Sequence, residues 1–413
     1  MKDKIAIIGL GYVGLPLAYE FAKKFKVVGF NRSKQRVVEL KKGFDRTLEI
    51  SREKLDKVKI KFTTKLKDIQ DCNIYIIAVN TPINIDKTPD LTNIKDATKL
   101  ISKVLKKDDL VIFESTLYPG CVREVLTPIL SKTSGLEFNK DFFVGYSPSR
   151  INPGNKEQTI CDIAKAVSGS NKKIAKRVKK LYKKFIKEKV HIAPSIEVAE
   201  ASKLVENIQR DINISFMNEL ALIFDRLNID TYDVLECAKT KWNFLPFTPG
   251  LIGGLGDDTY YLIHRAKELD LEPNIIISSR KTSEYIPAFI AKKIKKLLKD
   301  KNDKVLILGI TAKENSPNMA NSKALEIVKL LTKKGVKAKV YEKLLSKKDF
   351  KEYGIIRAKK PEFNKYNMVV LLVAHQYFKE LEPKIKEAKN RDKNLIIYDI
   401  KAFFEKDIVD VRL

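Results

Sequence analysis

The chain is poor in residues that bind metals or form cross-links. Its 413 residues include only four cysteines, Cys72, Cys121, Cys161 and Cys237, and three histidines, His191, His264 and His375. They are scattered, without ligand spacing or a paired rhythm, so neither a zinc site nor a disulfide framework is expected. Free thiols in a reducing cytoplasm are the expectation. No run of about eighteen apolar residues occurs, so no membrane span is expected. The opening MKDKIAIIGLGYVG passes straight into a strand pattern, and no signal peptide is expected.

Acidic residues are also in deficit. Lys and Arg number 80 against 52 Asp and Glu, a net charge of +28. The basic residues are spread over the whole chain and alternate with apolar ones at helical spacing, as in Lys172–Tyr182 (KKIAKRVKKLY). That pattern is a solvated helix face, not a nucleic-acid stripe, so no nucleic-acid partner is expected. The positive field would still draw in a phosphate-bearing substrate.

What is present reads as α/β. Ile5–Ile8 is a short apolar strand, followed by Gly9-Leu10-Gly11-Tyr12-Val13-Gly14 and an apolar helical stretch. G-x-G-x-x-G between a strand and a helix is a dinucleotide fingerprint. Gly9 makes the turn, Gly11 admits a pyrophosphate and Gly14 lets the helix pack closely. Tyr12 and Val13 lie at the helix N-terminus, whose N–H groups meet the phosphates. The second strand, Val27–Phe30, ends in Asn31-Arg32-Ser33, without the acid that usually holds a ribose 2′-hydroxyl. Arg32 would pair with a 2′-phosphate, which favours NADP over NAD; the alternative is an exposed Arg32 with NAD bound. Further strands at 74–79, 110–114 and 142–145 end in Asn80-Thr81-Pro82, Ser115-Thr116 and Tyr146-Ser147-Pro148, where such a sheet binds ligand. This region is expected to close near Gly169.

The middle is helical. Residues 197–227 form one long amphipathic pattern in which Lys203, Asn207 and Arg210 share a face, read either as a charged outer face or as a functional one. A glycine-rich stretch, 247–262, is read as a loop and holds Phe247, Gly250, Gly253, Gly254, Asp258, Tyr260 and Tyr261. Residues 262–295 read as one further helix. Strands at 304–309, 337–341, 368–374 and 394–400 then build a second α/β unit without the glycine fingerprint. The expected architecture is two Rossmann-like parallel-sheet domains joined by a long central helical region, divided as 1–195, 196–298 and 299–413.

Seven motifs carry a resemblance. They are GLGYVGLP (9–16), ESTLYPG (114–120), YSPSRINPG (146–154), KLVENIQRDINI (203–214), TKWNFLPFTPGLIGG (240–254), NSKALEIV (321–328) and VAHQYF (373–378). Together they resemble the UDP-glucose/GDP-mannose dehydrogenase family, in its UDP-N-acetylhexosamine branch for polysaccharide synthesis. The resemblance implies oxidation of a UDP-sugar at C6, from alcohol through aldehyde to acid, by way of a cysteine thioester. It implies that Lys203, Asn207, Asp258 and Thr116 surround the reacting carbon. It further implies substrate contacts from Ser149, Arg150, Arg210, the 247–261 loop and Lys313, an Arg280 that resembles the arginine offered to the substrate by a neighbouring subunit, and a homodimer through the central helix.

Departures from the family pattern fall on the thioester half and, at Ala320, on the grip of the nucleotide diphosphate. The family reads G-G-H-C-I-G-V-D-P-Y-Y-L where this chain has Gly253-Gly254-Leu255-Gly256-Asp257-Asp258-Thr259-Tyr260-Tyr261-Leu262, two residues shorter and without the histidine and cysteine. Ser149 stands where the family has a glutamate, and Ala320 where it has an arginine. Three readings follow: an oxidoreductase interconverting alcohol and carbonyl and stopping before the acid, an epimerase acting by transient oxidation, and a nucleotide-binding homologue without catalysis.

Overall fold

A computed structural model describes residues 3–155, 157–253 and 255–413, and these fall into two compact units. The first runs through Asn207 and takes in Asp257–Glu272; the second holds Ile208–Gly256 and Pro273–Leu413. This partition differs from a three-part division at 195 and 298, because the central segment contributes to both units.

Among the described residues the first unit holds an eight-stranded sheet in the order β3-β2-β1-β4-β5-β6-β7-β8. Its strands are β1 (Lys4–Ile8), β2 (Lys26–Phe30), β3 (Ile60–Thr63), β4 (Ile74–Ile77), β5 (Leu110–Phe113), β6 (Phe143–Tyr146), β7 (Lys165–Gly169) and β8 (Val190–Ile192). β1 to β6 are parallel; β7 turns antiparallel to β6, and β8 follows β7. The sheet thus continues past Gly169, where the sequence suggested closure. β4 (IYII) and β5 (LVIF) are buried at every position, the signature of a parallel sheet covered on both faces.

The helices of this region are α1 (Gly14–Ala22), α2 (Lys34–Lys41), α3 (Arg52–Asp56), α4 (Thr92–Ser102), α5 (Thr127–Ser134) and α6 (Lys172–Tyr182). α6 buries Ile174, Ala175, Val178, Leu181 and Tyr182 and turns most of its basic residues outward, and the Asn171 side chain caps it by accepting the Ile174 N–H. Phe21 of α1 meets the Tyr182 ring edge-on at 5.6 Å, joining both helices to the core of Ile5, Ile7, Ile74 and Ile112.

α7 (Ile196–Leu227) is 32 residues long and enters both units. α8 (Thr231–Ala238), α9 (Leu255–Glu268) and α10 (Asn274–Leu297) follow. Two expectations change here. The glycine-rich stretch becomes helical at Leu255, so Asp257 and Asp258 occupy the first turn of α9 and not a loop. Acids are favoured there by the helix dipole. The single helix expected over 262–295 is broken at 269–273, where Asp270 adopts a φ of +55° and Pro273 precedes α10.

The second unit contains a five-stranded parallel sheet in the order β10-β9-β11-β12-β13 among the described residues. Its strands are β9 (Lys304–Leu308), β10 (Lys337–Tyr341), β11 (Met368–Leu371), β12 (Ile396–Asp399) and β13 (Val411–Arg412), with helices α11 (Lys323–Lys333), α12 (Lys347–Glu352) and α13 (Glu382–Arg391). Its core gathers Val305, Ile307, Ile327, Val328, Leu331, Val370 and Tyr398 with Ile286, Ile290 and Ile294 of α10. No described helix is long and apolar enough to cross a membrane.

Candidate active site

In the first sheet the strand order reverses between β1 and β4, and a cleft of about 360 Å³ opens at the carboxyl ends of β1, β2 and β4. Gly9, with a φ of +93°, turns the chain there, and its N–H donates to the Phe30 carbonyl at 3.0 Å. A Cβ on Gly9 would lie 2.6 Å from the Ala78 oxygen, and one on Gly14 would lie 1.8 Å from the Gly9 oxygen. At Gly11 an added Cβ would meet nothing within 4 Å, so that side of the turn is open. This cradle, with Val13 as the N-cap of α1, fits a dinucleotide pyrophosphate.

The rim of the cleft carries Asn31, Arg32, Ser33, Arg36, Arg46 and Asn93. Arg32 donates to Asn93 Oδ1 at 2.6 Å, and Asn31 Oδ1 accepts the Ser33 N–H at 2.9 Å. Arg36 was not singled out in the sequence. It is buried, bonded from Nε to the Leu10 oxygen at 2.8 Å and from Nη2 to Asp45 at 2.7 Å, while its buried Nη1 has no partner among the described residues. An orphaned guanidinium nitrogen on the cleft suits a phosphate or ribose oxygen. Its spacing of four from buried Leu40 is the signal that places it on the inner face of α2.

Thr116, Lys203, Asn207 and Asp258, expected together, are brought together within the first unit. Thr116 follows β5, Lys203 and Asn207 stand one turn apart on α7, and Asp258 lies in the first turn of α9. The Asn207 amide donates to Asp258 Oδ2. Burial raises the Asp258 carboxyl above its ordinary range; the Lys203 ammonium and hydrogen bonds from Asn207 and Thr116 oppose the rise. Such a set can position a hydroxyl and stabilise charge developing on its oxygen.

Around it, side chains hold the strand ends in place. Thr81 Oγ1 donates to the Thr116 oxygen at 2.9 Å, and Ser115 Oγ to the Val79 oxygen at 2.6 Å. Tyr261, expected to touch substrate, is instead fully buried, its hydroxyl donating to the oxygens of Thr81 at 2.9 Å and Pro82 at 3.2 Å. Glu200 of α7 is buried and accepts the N–H groups of Gly120 at 2.7 Å and Val122 at 2.9 Å; burial pushes its carboxyl up to about 8. Glu114 and Lys165 form a buried ion pair of 2.9 Å, and Tyr182 also donates to Glu114. Lys165 also reaches the oxygens of Pro148 at 3.2 Å and Ser147 at 3.4 Å. Glu200 and Lys165 look like ordinary surface charges in the sequence, because only the fold shows what they face.

The other expected substrate residues are placed as follows. Ser149 is half-buried, its N–H donating to the Glu114 oxygen at 3.3 Å, and Arg150 pairs with Glu206 and donates to the Ala164 oxygen at 2.8 Å. Tyr260 lies under the Lys87 ammonium, 5.2 Å from its ring centre. In the second unit Arg210 is exposed, whereas Arg280 is buried and paired with Asp211 at 2.8 Å. Gly250 is clamped by Asn218, whose amide donates to its oxygen at 3.1 Å and accepts its N–H at 2.8 Å. Phe247, Gly253 and Lys313 are half-buried there, and Gly254 lies outside the described residues. Cys72, Cys121 and Cys161 are buried, with thiols that burial makes harder to ionise; Cys237 is exposed on α8.

A doubly wound sheet with a glycine cradle at its switch point, and an acid, an amide, a lysine and a threonine gathered in the same unit, is the layout of a dehydrogenase. Three domain families match the chain. They are the NAD binding domain of the UDP-glucose/GDP-mannose dehydrogenase family over residues 3–186, its central domain over 197–285 and its UDP binding domain over 306–406. The chain therefore belongs to the UDP-glucose/GDP-mannose dehydrogenase family, oxidoreductases of nucleotide sugars. It is 45% identical over 423 residues to a UDP-N-acetyl-D-glucosamine 6-dehydrogenase of Pseudomonas aeruginosa, covering 100% of both chains. It is 44% identical to one of Salmonella typhi, covering 99% of this chain and 98% of the relative. Among solved structures it matches a UDP-D-ManNAc dehydrogenase from Pyrococcus horikoshii with a TM-score of 0.85 and 28% identity, over 98% of this chain and 96% of that one.

Proposed function

We propose that the chain oxidises a UDP-N-acetylhexosamine at its C6 hydroxyl, using a nicotinamide dinucleotide bound at the Gly9–Gly14 turn. The observation that carries this is the assembly of Thr116, Lys203, Asn207 and Asp258 at one place in the dinucleotide-binding unit. The dinucleotide, when bound, takes up the hydride. The chain's own residues do the rest. Asp258, with Asn207 orienting it, receives the hydroxyl proton directly or through a water, and Lys203 stabilises the developing alkoxide. Thr116 orients the Asp258 carboxyl. Lys313 holds the nucleotide diphosphate, as the family resemblance implies. The names of the relatives support a UDP-N-acetylhexosamine as substrate.

Those relatives are named as 6-dehydrogenases, and the comparisons give no support to an enzyme that stops at the aldehyde, to an epimerase or to an inactive homologue. The remaining departure is in the sequence itself, which has no cysteine after Cys237. Mass spectrometry of products from a UDP-hexose and UDP-N-acetylhexosamine panel is the test. A uronate would show that acid formation proceeds here without a thiol on the loop. An aldehyde would limit the chain to the first hydride, and an unchanged panel with either cofactor would overturn the proposal.

The choice of cofactor turns on Asn31-Arg32-Ser33. The family domain is described as NAD-binding, whereas Asn31-Arg32-Ser33 supports NADP, because no carboxylate follows β2 and Arg32 stands on the rim. Calorimetric titration with both forms decides, and tighter binding of NAD would overturn the reading from charge. For assembly, the exposed Val198, Val205, Phe216, Ile223 and Leu227 of α7 support a homodimer through this helix. At 100° per residue they fall within about 40° of one line along it. Light scattering at the mass of a monomer would exclude that dimer.

A further inference from the structure

The second sheet reverses its strand order between β9 and β11, and a buried polar cluster lies at their carboxyl ends. His375 is fully buried in it. Its Nδ1 lies 2.9 Å from the backbone nitrogen of Asn315 and accepts that N–H, so Nδ1 carries no proton. The ring proton is therefore on Nε2, which faces Glu342 Oε2 at 2.8 Å and Thr311 Oγ1 at 3.2 Å. Thr311 gives its own hydroxyl proton to the Lys313 oxygen at 2.8 Å, which leaves Oγ1 as an acceptor.

Glu342 is bonded on both oxygens. It accepts the Tyr377 hydroxyl at 2.5 Å and the N–H groups of Leu344 at 3.0 Å and Ile310 at 3.3 Å. Burial works against its charge, yet the bonds from His375 and Tyr377 hold the carboxyl below its ordinary range. A second bond runs the other way between the two loops, from the Gln376 N–H to Asn315 Oδ1 at 2.9 Å. Asn315 itself sits at a φ of +57°, a conformation that needs such support.

The loop after β9, which carries Lys313, is thus latched twice to the loop after β11. We infer that His375 is a positioning residue for nucleotide binding: its Nδ1 fixes the backbone beside Lys313 and so sets where the Lys313 ammonium meets the diphosphate. A lysine on an unlatched loop would have to be ordered at the moment of binding, which weakens affinity. The inference rests on the proposed role of Lys313.

The test is calorimetric titration of the full chain with UDP. His375→Asn keeps an acceptor at the δ position. His375→Gln places its amide at the ε position and leaves none at δ. The Asn variant is expected to bind UDP within about threefold of the parent. The Gln variant should bind about tenfold more weakly or worse, with unchanged dinucleotide affinity. Amide exchange at Asn315 should quicken in the Gln variant alone. Lys313→Ala provides the reference. If it leaves UDP binding intact, the role of Lys313 fails, and the latch argument with it. If it weakens UDP while His375→Gln binds normally, or if both histidine variants lose equally, the latch alone is overturned. Should His375→Gln fail to fold, Asn315→Gly opens the other half of the latch at an unchanged backbone angle. That variant should weaken UDP binding too, and normal binding by it would count against the inference.

Discussion

The side-chain amide of Asn207 donates to the carboxylate of Asp258, tying the middle of α7 to the first turn of α9. Lys203 stands one helical turn before Asn207, so the acid is held between an amide and a cation. Burial raises this carboxyl while its two neighbours oppose the rise, and the proposed role as proton acceptor rests on that balance.

Asp258→Asn should lower kcat by about 10²- to 10³-fold with little change in UDP-sugar affinity. Its effect on stability has a definite sign. The native carboxyl is raised above the ordinary 3.8, so the folded state binds its proton more tightly than the unfolded one. The stability from Asp258 is then full below about 3.8 and is lost as pH rises through the native value. Melting curves of the Asn variant should lack that loss, and parallel curves for both proteins would refute the assignment.

Glu200 gives a second pH effect. With its native carboxyl at about 8 against an ordinary 4.5, its stabilisation is present below 4.5 and fades as pH rises to about 8. Glu200→Gln should flatten the melting temperature across that interval. Equal slopes would mean that the N–H groups of Gly120 and Val122 keep the carboxylate ionised despite its burial.

Gly11→Ala and Gly14→Ala should separate binding from folding. An added methyl at Gly11 meets no protein atom, so the variant should melt like the parent while its dinucleotide affinity falls by about tenfold or more. At Gly14 the same methyl would strike the Gly9 carbonyl, and the variant should lose both stability and binding. Equal melting and equal binding in both would show that the turn is not the dinucleotide site.

Lys165→Met leaves Glu114 buried without its counter-ion, so unfolding by urea should show a loss of about 3–5 kcal/mol. The double variant Glu114→Gln with Lys165→Met should recover part of that loss. A single variant within about 1 kcal/mol of the parent would show that water reaches the pair.

The central strands were legible because β4 and β5 are continuous apolar runs, and sheets covered on both faces need such runs. β7 and β8 escaped notice, since KAVSG and VHI are short and open on polar or flanking charged residues. The start of α9 was misread for a different reason. Glycines at 253, 254 and 256 argue for a loop, whereas two acids in a first turn argue for a helix, and the acids prevailed. Lys203, Asn207, Asp258 and Thr116 were readable as a set only through the family motifs, because they are far apart in sequence. Arg36, Glu200 and Lys165 carry no motif, and their partners are visible only once strand ends and helix faces are assembled.

Tyr261 carries one more consequence. It lies three residues after Asp258, on the same face of α9, and its hydroxyl is fixed to the oxygens of Thr81 and Pro82. The segment that follows β4 therefore holds the rotation of α9, and with it the direction in which the acid points.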